Sequence, residues 1–175
     1  MKRTAKAMAL VLAMALFVVF AGCTKGKKVQ EVGIIQYMEH VALDSAREGF
    51  ITALKDNGYV EGQNITFDIQ NAQGDQSNLS TISDRFISNK SDLVLAIATP
   101  AAQAIAGKTT EIPILATAIT DFEAARLVES NEAPGGNVTG TTDMNPIKEQ
   151  IELLVKLVPD AKTVGVLYTS SEDNS

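Results

Sequence analysis

The sequence contains one cysteine, one histidine and no surplus of positive charge. A single cysteine cannot close an intramolecular disulfide or build a cysteine-based metal cluster. A single histidine, His40, excludes the H-E-x-x-H pair of metalloproteases, and the G-x-S-x-G turn of α/β-hydrolases is missing as well. Composition alone permits a Ser/His/Asp arrangement, but no serine stands out as a nucleophile. Nothing calls for a metal or any other cofactor. With 15 Lys and Arg against 21 Asp and Glu, the formal net charge is −6. Such a chain is a poor partner for nucleic acid, whose phosphates are neutralised by Lys and Arg. Long apolar runs are scarce too. The longest, Ala7 to Phe20, falls short of the roughly 20 residues that span a bilayer comfortably.

That run has a recognisable setting. Lys2, Arg3 and Lys6 precede it, and Ala21-Gly22-Cys23 closes it. A basic start, a short apolar stretch and small residues at the break describe a secretory signal peptide, over residues 1–22. Phe20-Ala21-Gly22-Cys23 resembles a bacterial lipobox, with Phe20 where Leu, Val or Ile is usual. The resemblance implies cleavage before Cys23, lipidation of its sulfur and acylation of the new amino group. Two acyl chains make a stable membrane anchor. Residues 23–28 then read as a polar, basic tether to the membrane. Cleavage removes three cationic side chains and takes the formal charge from −6 to about −9. About 145 residues follow the tether, enough for one real core.

From Val29 onward, short β-branched runs alternate with longer segments of helical period. Val32 to Tyr37 reads as a strand. Asp44 to Asn57 reads as a helix with Ala46, Phe50, Ala53 and Leu54 inward, stopped by Gly58. Ile65 to Gln70 alternates with period two, as a half-exposed strand does. Ser77 to Ser88 is a helix with Leu79, Ile82, Phe86 and Ile87 inside. Leu93 to Ala98 is apolar throughout, as a strand covered on both faces should be. Thr99 to Ala106 is helical, Ile114 to Ala118 and Val138 to Thr141 are strands, and Phe122 to Leu127 is a short helix. Pro146 to Val158 is an amphipathic helix with Ile147, Ile151, Leu154, Val155 and Val158 inward, and Thr163 to Tyr168 is a last strand. Repeated β-α units imply an α/β domain, a parallel sheet with helices on both faces. Ligands of such sheets bind beyond the carboxyl ends of the strands. That rule selects the loops at residues 36–44, 99–102, 119–122, 141–145 and 169–175. The sequence stops inside the fifth loop, so Ser175 reads as a truncation point.

Gly107-Lys108-Thr109-Thr110 imitates the end of a phosphate-binding P-loop, but Ala102 stands where the first glycine belongs and Gly107 closes a helix instead of opening one. Three Asn-x-Ser/Thr triplets, at Asn64, Asn78 and Asn137, are incidental in a bacterial lipoprotein. The binding candidates are stronger. Thr99 suits an N-cap and Pro100 the first helical position, and the N–H groups of that helix start, with Ala101, suit a carboxylate. Capping alone is the plainer reading of the pair. Asp121, after Thr120, could pair with a ligand ammonium or cap the helix that follows. His40 reads as a solvated loop residue whose loop faces the expected cleft. Tyr37, Phe122 and Tyr168 end or follow strands, where they line a pocket or fill core.

Taken together, Gly33-Ile34-Ile35-Gln36, Ala98 to Ala104 (ATPAAQA), Thr117 to Asp121 (TAITD), Pro134 to Gly140 (PGGNVTG) and Val166 to Ser175 (VLYTSSEDNS) resemble the ABC-transporter substrate-binding family that includes tryptophan- and tyrosine-type binding lipoproteins. The likeness runs from about Val29 to Ser175. It implies a type I periplasmic-binding-protein fold of two similar lobes with the ligand between them. Residues 29–142 would then be the first lobe and 143–175 the truncated start of a second. By this resemblance Gln36, Thr99, Pro100, Ala101, Thr120, Asp121, Ser170, Asn174 and Ser175 face the cleft. The partners it implies are a small-molecule solute, plausibly an apolar or aromatic amino acid, and an ABC permease in the membrane. Its setting is extracytoplasmic, lipid-anchored through Cys23, with no catalysis and no nucleic acid. A ligand sensor of the same fold feeding a signalling receptor is the alternative; the signal peptide does not separate the two, whereas a neighbouring permease gene would. A third class, an extracytoplasmic enzyme on an α/β scaffold, would need a catalytic constellation in the missing half, and turnover of bound ligand by the full-length parent would discriminate it.

Overall fold

The computed structural model describes residues 28–170. The signal peptide, Cys23 and residues 171–175 lie outside them. Five strands, β1 (Gln30–Gln36), β2 (Ile65–Asn71), β3 (Leu93–Ile97), β4 (Ile114–Ile119) and β5 (Val138–Thr142), form one sheet in the order β2-β1-β3-β4-β5. Every pairing is parallel. Four helices accompany it: α1 (Val41–Asp56), α2 (Gln76–Asn89), α3 (Thr99–Ala106) and α4 (Ile147–Leu157).

Burial follows the expected pattern in β3 and only in part in β2. β3 is central, and Val94, Leu95, Ala96 and Ile97 are all buried. β2 is an edge strand; Ile65 is buried beside an exposed Thr66, but the alternation stops there, since Ile69 is exposed and Phe67, Asp68 and Gln70 are all half-buried. One face packs Val32, Ile34, Leu95 and Ile97 against Leu43, Ala46, Phe50, Ile51 and Leu54 of α1. The opposite face packs Ile35, Val94 and Ala96 against Leu79, Ile82 and Phe86 of α2 and Ala101, Ala102 and Ile105 of α3. Gly33 is required where α2 crosses β1, because a Cβ there would meet the Phe86 ring at 2.7 Å. Asp75 caps α2. The Ser77 hydroxyl, then the Asn78 and Ser77 amides, hold its carboxyl below the ordinary carboxylate value.

Some expectations change. On α1 the inward stripe includes Leu43 and Ile51, while Ala53 is exposed. Residues 122–127 form successive turns, not a helix. Thr163–Tyr168 has strand composition but joins no ladder, and Leu167 is fully exposed. A strand exists only through its partner's N–H and C=O groups, and none of the five strands offers them to this segment. The stripe on α4 is likewise uncovered, with Ile147, Ile151, Val155 and Val158 each more than half exposed.

Candidate functional site

In the order 2-1-3-4-5 the chain leaves β1 toward one side and β3 toward the other, which opens a crevice between their carboxyl ends. The loops around that crevice are stitched into a continuous rim. Ala72 N–H donates to Gln36 O (2.9 Å), Gly74 N–H to Tyr37 O (2.8 Å) and Tyr37 N–H to Ile97 O (3.3 Å). Farther along, Ala98 N–H donates to Thr117 O (3.0 Å) and Asp143 N–H to Ile119 O (3.0 Å). The Thr142 hydroxyl donates to Thr120 O (2.6 Å).

Besides Gln73, at φ 54°, two alanines on this rim hold unusual backbone. Ala98 has φ 81° and ψ 152°, and Ala118, beside a register shift in β4, has φ 57°. Non-glycine residues pay about 1–3 kcal/mol for such conformations, which concentrate at functional sites. Neither could be read from an alanine in the sequence.

The helix start at β3 differs from expectation in detail. Ala98, not Thr99, is the N-cap; Thr99 and Pro100 are the first helical residues. Ala101 and Ala102 both donate to Ala98 O at 3.1 Å, and proline has no N–H. The remaining first-turn N–H is that of Thr99, for which the helix supplies no carbonyl. Beside it the Thr99 hydroxyl, in a residue only 2% exposed, has no hydrogen-bond partner. Such a group costs about 1–3 kcal/mol and asks for an explanation.

Gln36 is fully buried and its side-chain amide is engaged within the protein. Thr120 lends its carbonyl to Thr142. Asp121 Oδ1 accepts from Glu123 N–H (2.9 Å) and Ala124 N–H (3.1 Å), so the residue caps the turn after β4. Gln36, Thr99, Pro100, Ala101, Thr120 and Asp121 thus gather along one edge of the sheet. Ser170 is exposed in the stretch beyond α4 with no hydrogen bond to the rim, and Asn174 and Ser175 lie outside the described residues. His40, read as a solvated residue, caps α1: its Nδ1 accepts from Ala42 N–H at 3.2 Å. Tyr37 and Phe122 pack against the core cluster, and Tyr168 is exposed.

A separate hollow of about 140 Å³ lies against β5, between Phe122, Val128, Pro134 and Gly140. Ligand pockets begin near about 300 Å³, and this hollow stands on the outer strand, away from the switch point. Among the described residues no group of three His, Cys, Asp or Glu could hold a metal ion.

Known proteins share this arrangement. The "Tyrosine-binding protein" of Clostridioides difficile (strain R20291) is 50% identical over 152 residues, 87% of this chain and 44% of that protein. A crystal structure of an ABC domain from Streptococcus pneumoniae in complex with L-Trp superposes with a TM-score of 0.79 at 44% identity, over 84% of this chain and 50% of that one. A ligand-free, open structure of a Clostridium difficile substrate-binding protein with adhesive properties gives 0.72 at 49% identity, over 82% and 49% of the two chains. The chain spans about half the length of these relatives. Residues 31–175 match the family model described as ABC transporter substrate binding protein. With a parallel periplasmic-binding-protein sheet, a stitched rim at its carboxyl edge and that match, the chain belongs to the ABC transporter substrate-binding protein family.

Proposed function

We propose that the chain is the first lobe, at residues 29–142, and the opening of the second, from residue 143, of the solute-binding component of an ABC importer. The whole protein captures a small solute between two lobes and delivers it to a membrane permease. It works outside the cytoplasm, anchored through lipidated Cys23. The solute is an amino acid with an aromatic side chain. Two relatives whose names carry tyrosine or L-Trp support this class. The observation that carries the reading is the unpartnered hydroxyl of Thr99 at the switch point, beside an N–H for which the helix supplies no carbonyl. A ligand carboxylate satisfies both donors. The ammonium reaches Asp121, whose Oδ2 is not used by the cap. The uncovered apolar stripe of α4 agrees with an element that awaits the rest of a second lobe.

Two outcomes test this. A cleft site draws on both lobes, so the 175-residue chain should bind L-tryptophan or L-tyrosine at least a hundredfold more weakly than the two-lobe protein, about 2.7 kcal/mol. Calorimetry that finds equal affinities contradicts the two-lobe reading. Cys23→Ala should leave the protein without lipid and free of tight membrane attachment. Retention of that variant on membranes after a salt wash rules out the anchor.

A further inference from the structure

The geometry points to Gln36, Asp44 and Arg47 as a positioning network: we propose that they fix the β1–α1 loop in its binding shape, and that Gln36 acts through this loop without touching the ligand. The inference rests on the reading of the rim as the binding site.

A glutamine side chain has two N–H donors and one carbonyl acceptor. At Gln36 both donors are used, by Met38 O (2.8 Å) and Asp44 Oδ1 (2.9 Å), and the carbonyl accepts from Arg47 Nη1 (2.7 Å). Unlike the equally buried Thr99 hydroxyl, which has no partner, the Gln36 amide has no N–H left to give a ligand. Arg47 Nη1 also lies 3.1 Å from Asp44 Oδ1. The three side chains therefore close a ring across the last residue of β1, the loop, and the first two turns of α1. An ion pair this exposed, with side chains 22% and 30% accessible, contributes little by attraction alone. The ring's effect is geometric.

What it holds is the loop at the switch point. Gln36 fixes Met38 O from inside, the Tyr37 carbonyl accepts from Gly74 N–H, and the His40 ring takes Ala42 N–H. A loop tied at three successive places loses little further freedom when a ligand arrives, and preorganisation of that kind raises affinity without a contact. Gln36 is a positioning residue, as are Asp44 and Arg47.

Hydrogen exchange of the 175-residue chain reads this directly. Gln36→Met and Arg47→Met keep length and remove the bonds; Ile82→Val on α2 is a destabilised control that leaves the loop alone. The hydrogen-bonded amides of Tyr37, Ala42 and Gly74 should exchange at least tenfold faster in the two network variants, while α2 amides change no more than in the control. Arg47→Lys should recover part of the protection. Loop exchange that stays at the wild-type level, or rises evenly along the chain as in Ile82→Val, overturns the network. If Gln36→Met does not fold, Arg47→Met carries the same comparison. In the two-lobe protein, Gln36→Met should weaken L-tryptophan binding about tenfold with Ile82→Val unchanged. A faster loop with unaltered affinity would break the link to binding. An unmutated two-lobe protein that binds neither L-tryptophan nor L-tyrosine would sink the ligand reading, and the exchange data would still decide the network.

Discussion

Gly140→Ala should unpair β5 from β4 and destabilise the chain by about 4 kcal/mol. A Cβ at Gly140 would stand 1.8 Å from the Ala116 carbonyl oxygen and 2.7 Å from its carbon. Both atoms are backbone of the neighbouring strand, so no side chain can swing aside. Relief requires the strands to separate, which surrenders pairings such as Leu115↔Thr139 and Ile119↔Thr142 and loosens buried Val138. Overpacking costs about 1–3 kcal/mol in a core that can shift, and each lost backbone bond adds about 1 kcal/mol. Gly136→Ala is the matched control: a Cβ there meets nothing within 4 Å, and the change should stay within about 1 kcal/mol. Urea unfolding of the two variants measures the difference. Equal midpoints would mean that β5 is not paired as described.

The second large effect concerns the site. Asp121→Ala in the two-lobe protein should weaken amino-acid binding by about 3 kcal/mol, because the ligand ammonium is left buried without a partner. It should also lower stability by about 1 kcal/mol, since the Glu123 and Ala124 N–H groups lose their cap. Thr99→Val gives an opposed pair of readouts. The hydroxyl has no partner in the described structure, so replacing it with a methyl group should leave stability unchanged or raise it by about 1 kcal/mol. Affinity should still fall by about 1–2 kcal/mol. Melting temperature and Kd on both variants separate ligand contact from capping. Unaltered affinity in a variant would remove that residue from the site, and for Asp121→Ala lower melting alone would leave it a cap.

Much of the fold was legible because its signals are periodic. The unbroken apolar run of β3 announced a strand covered on both faces, and it is central. The period-two pattern of Ile65–Gln70 announced a half-exposed strand, and β2 is a strand at the sheet edge, with its alternation lost after Thr66. Two of the departures share one cause. Pattern reports what a segment would bury, not whether a partner is present. Thr163–Tyr168 and the stripe of α4 have the right composition, and neither meets a covering element among the described residues.

The site was less legible than the fold. The strand-end rule brought Gln36, Thr99 and Asp121 to one edge, but it does not say which polar atoms are free. The family resemblance implies that Gln36 faces the cleft, but no pattern shows that its amide is bonded to groups two, eight and eleven residues away. His40 and Ala98 cap helices without the residue types that advertise a cap. The glycine-rich run at Pro134–Gly140 had a specific look and a structural reason: Asn137 ties it to Thr109 O and Ile112 O, and Gly140 admits the Ala116 backbone.

The central claim, an amino-acid site at the switch point between β1 and β3, is tested most directly by calorimetric titration of the two-lobe protein with L-tryptophan and L-tyrosine. The account predicts saturable binding of at least one of them at one site per chain, competition between the two if both bind, and a melting temperature that rises with ligand concentration. A flat titration with each, together with unchanged melting across all twenty amino acids, would contradict it.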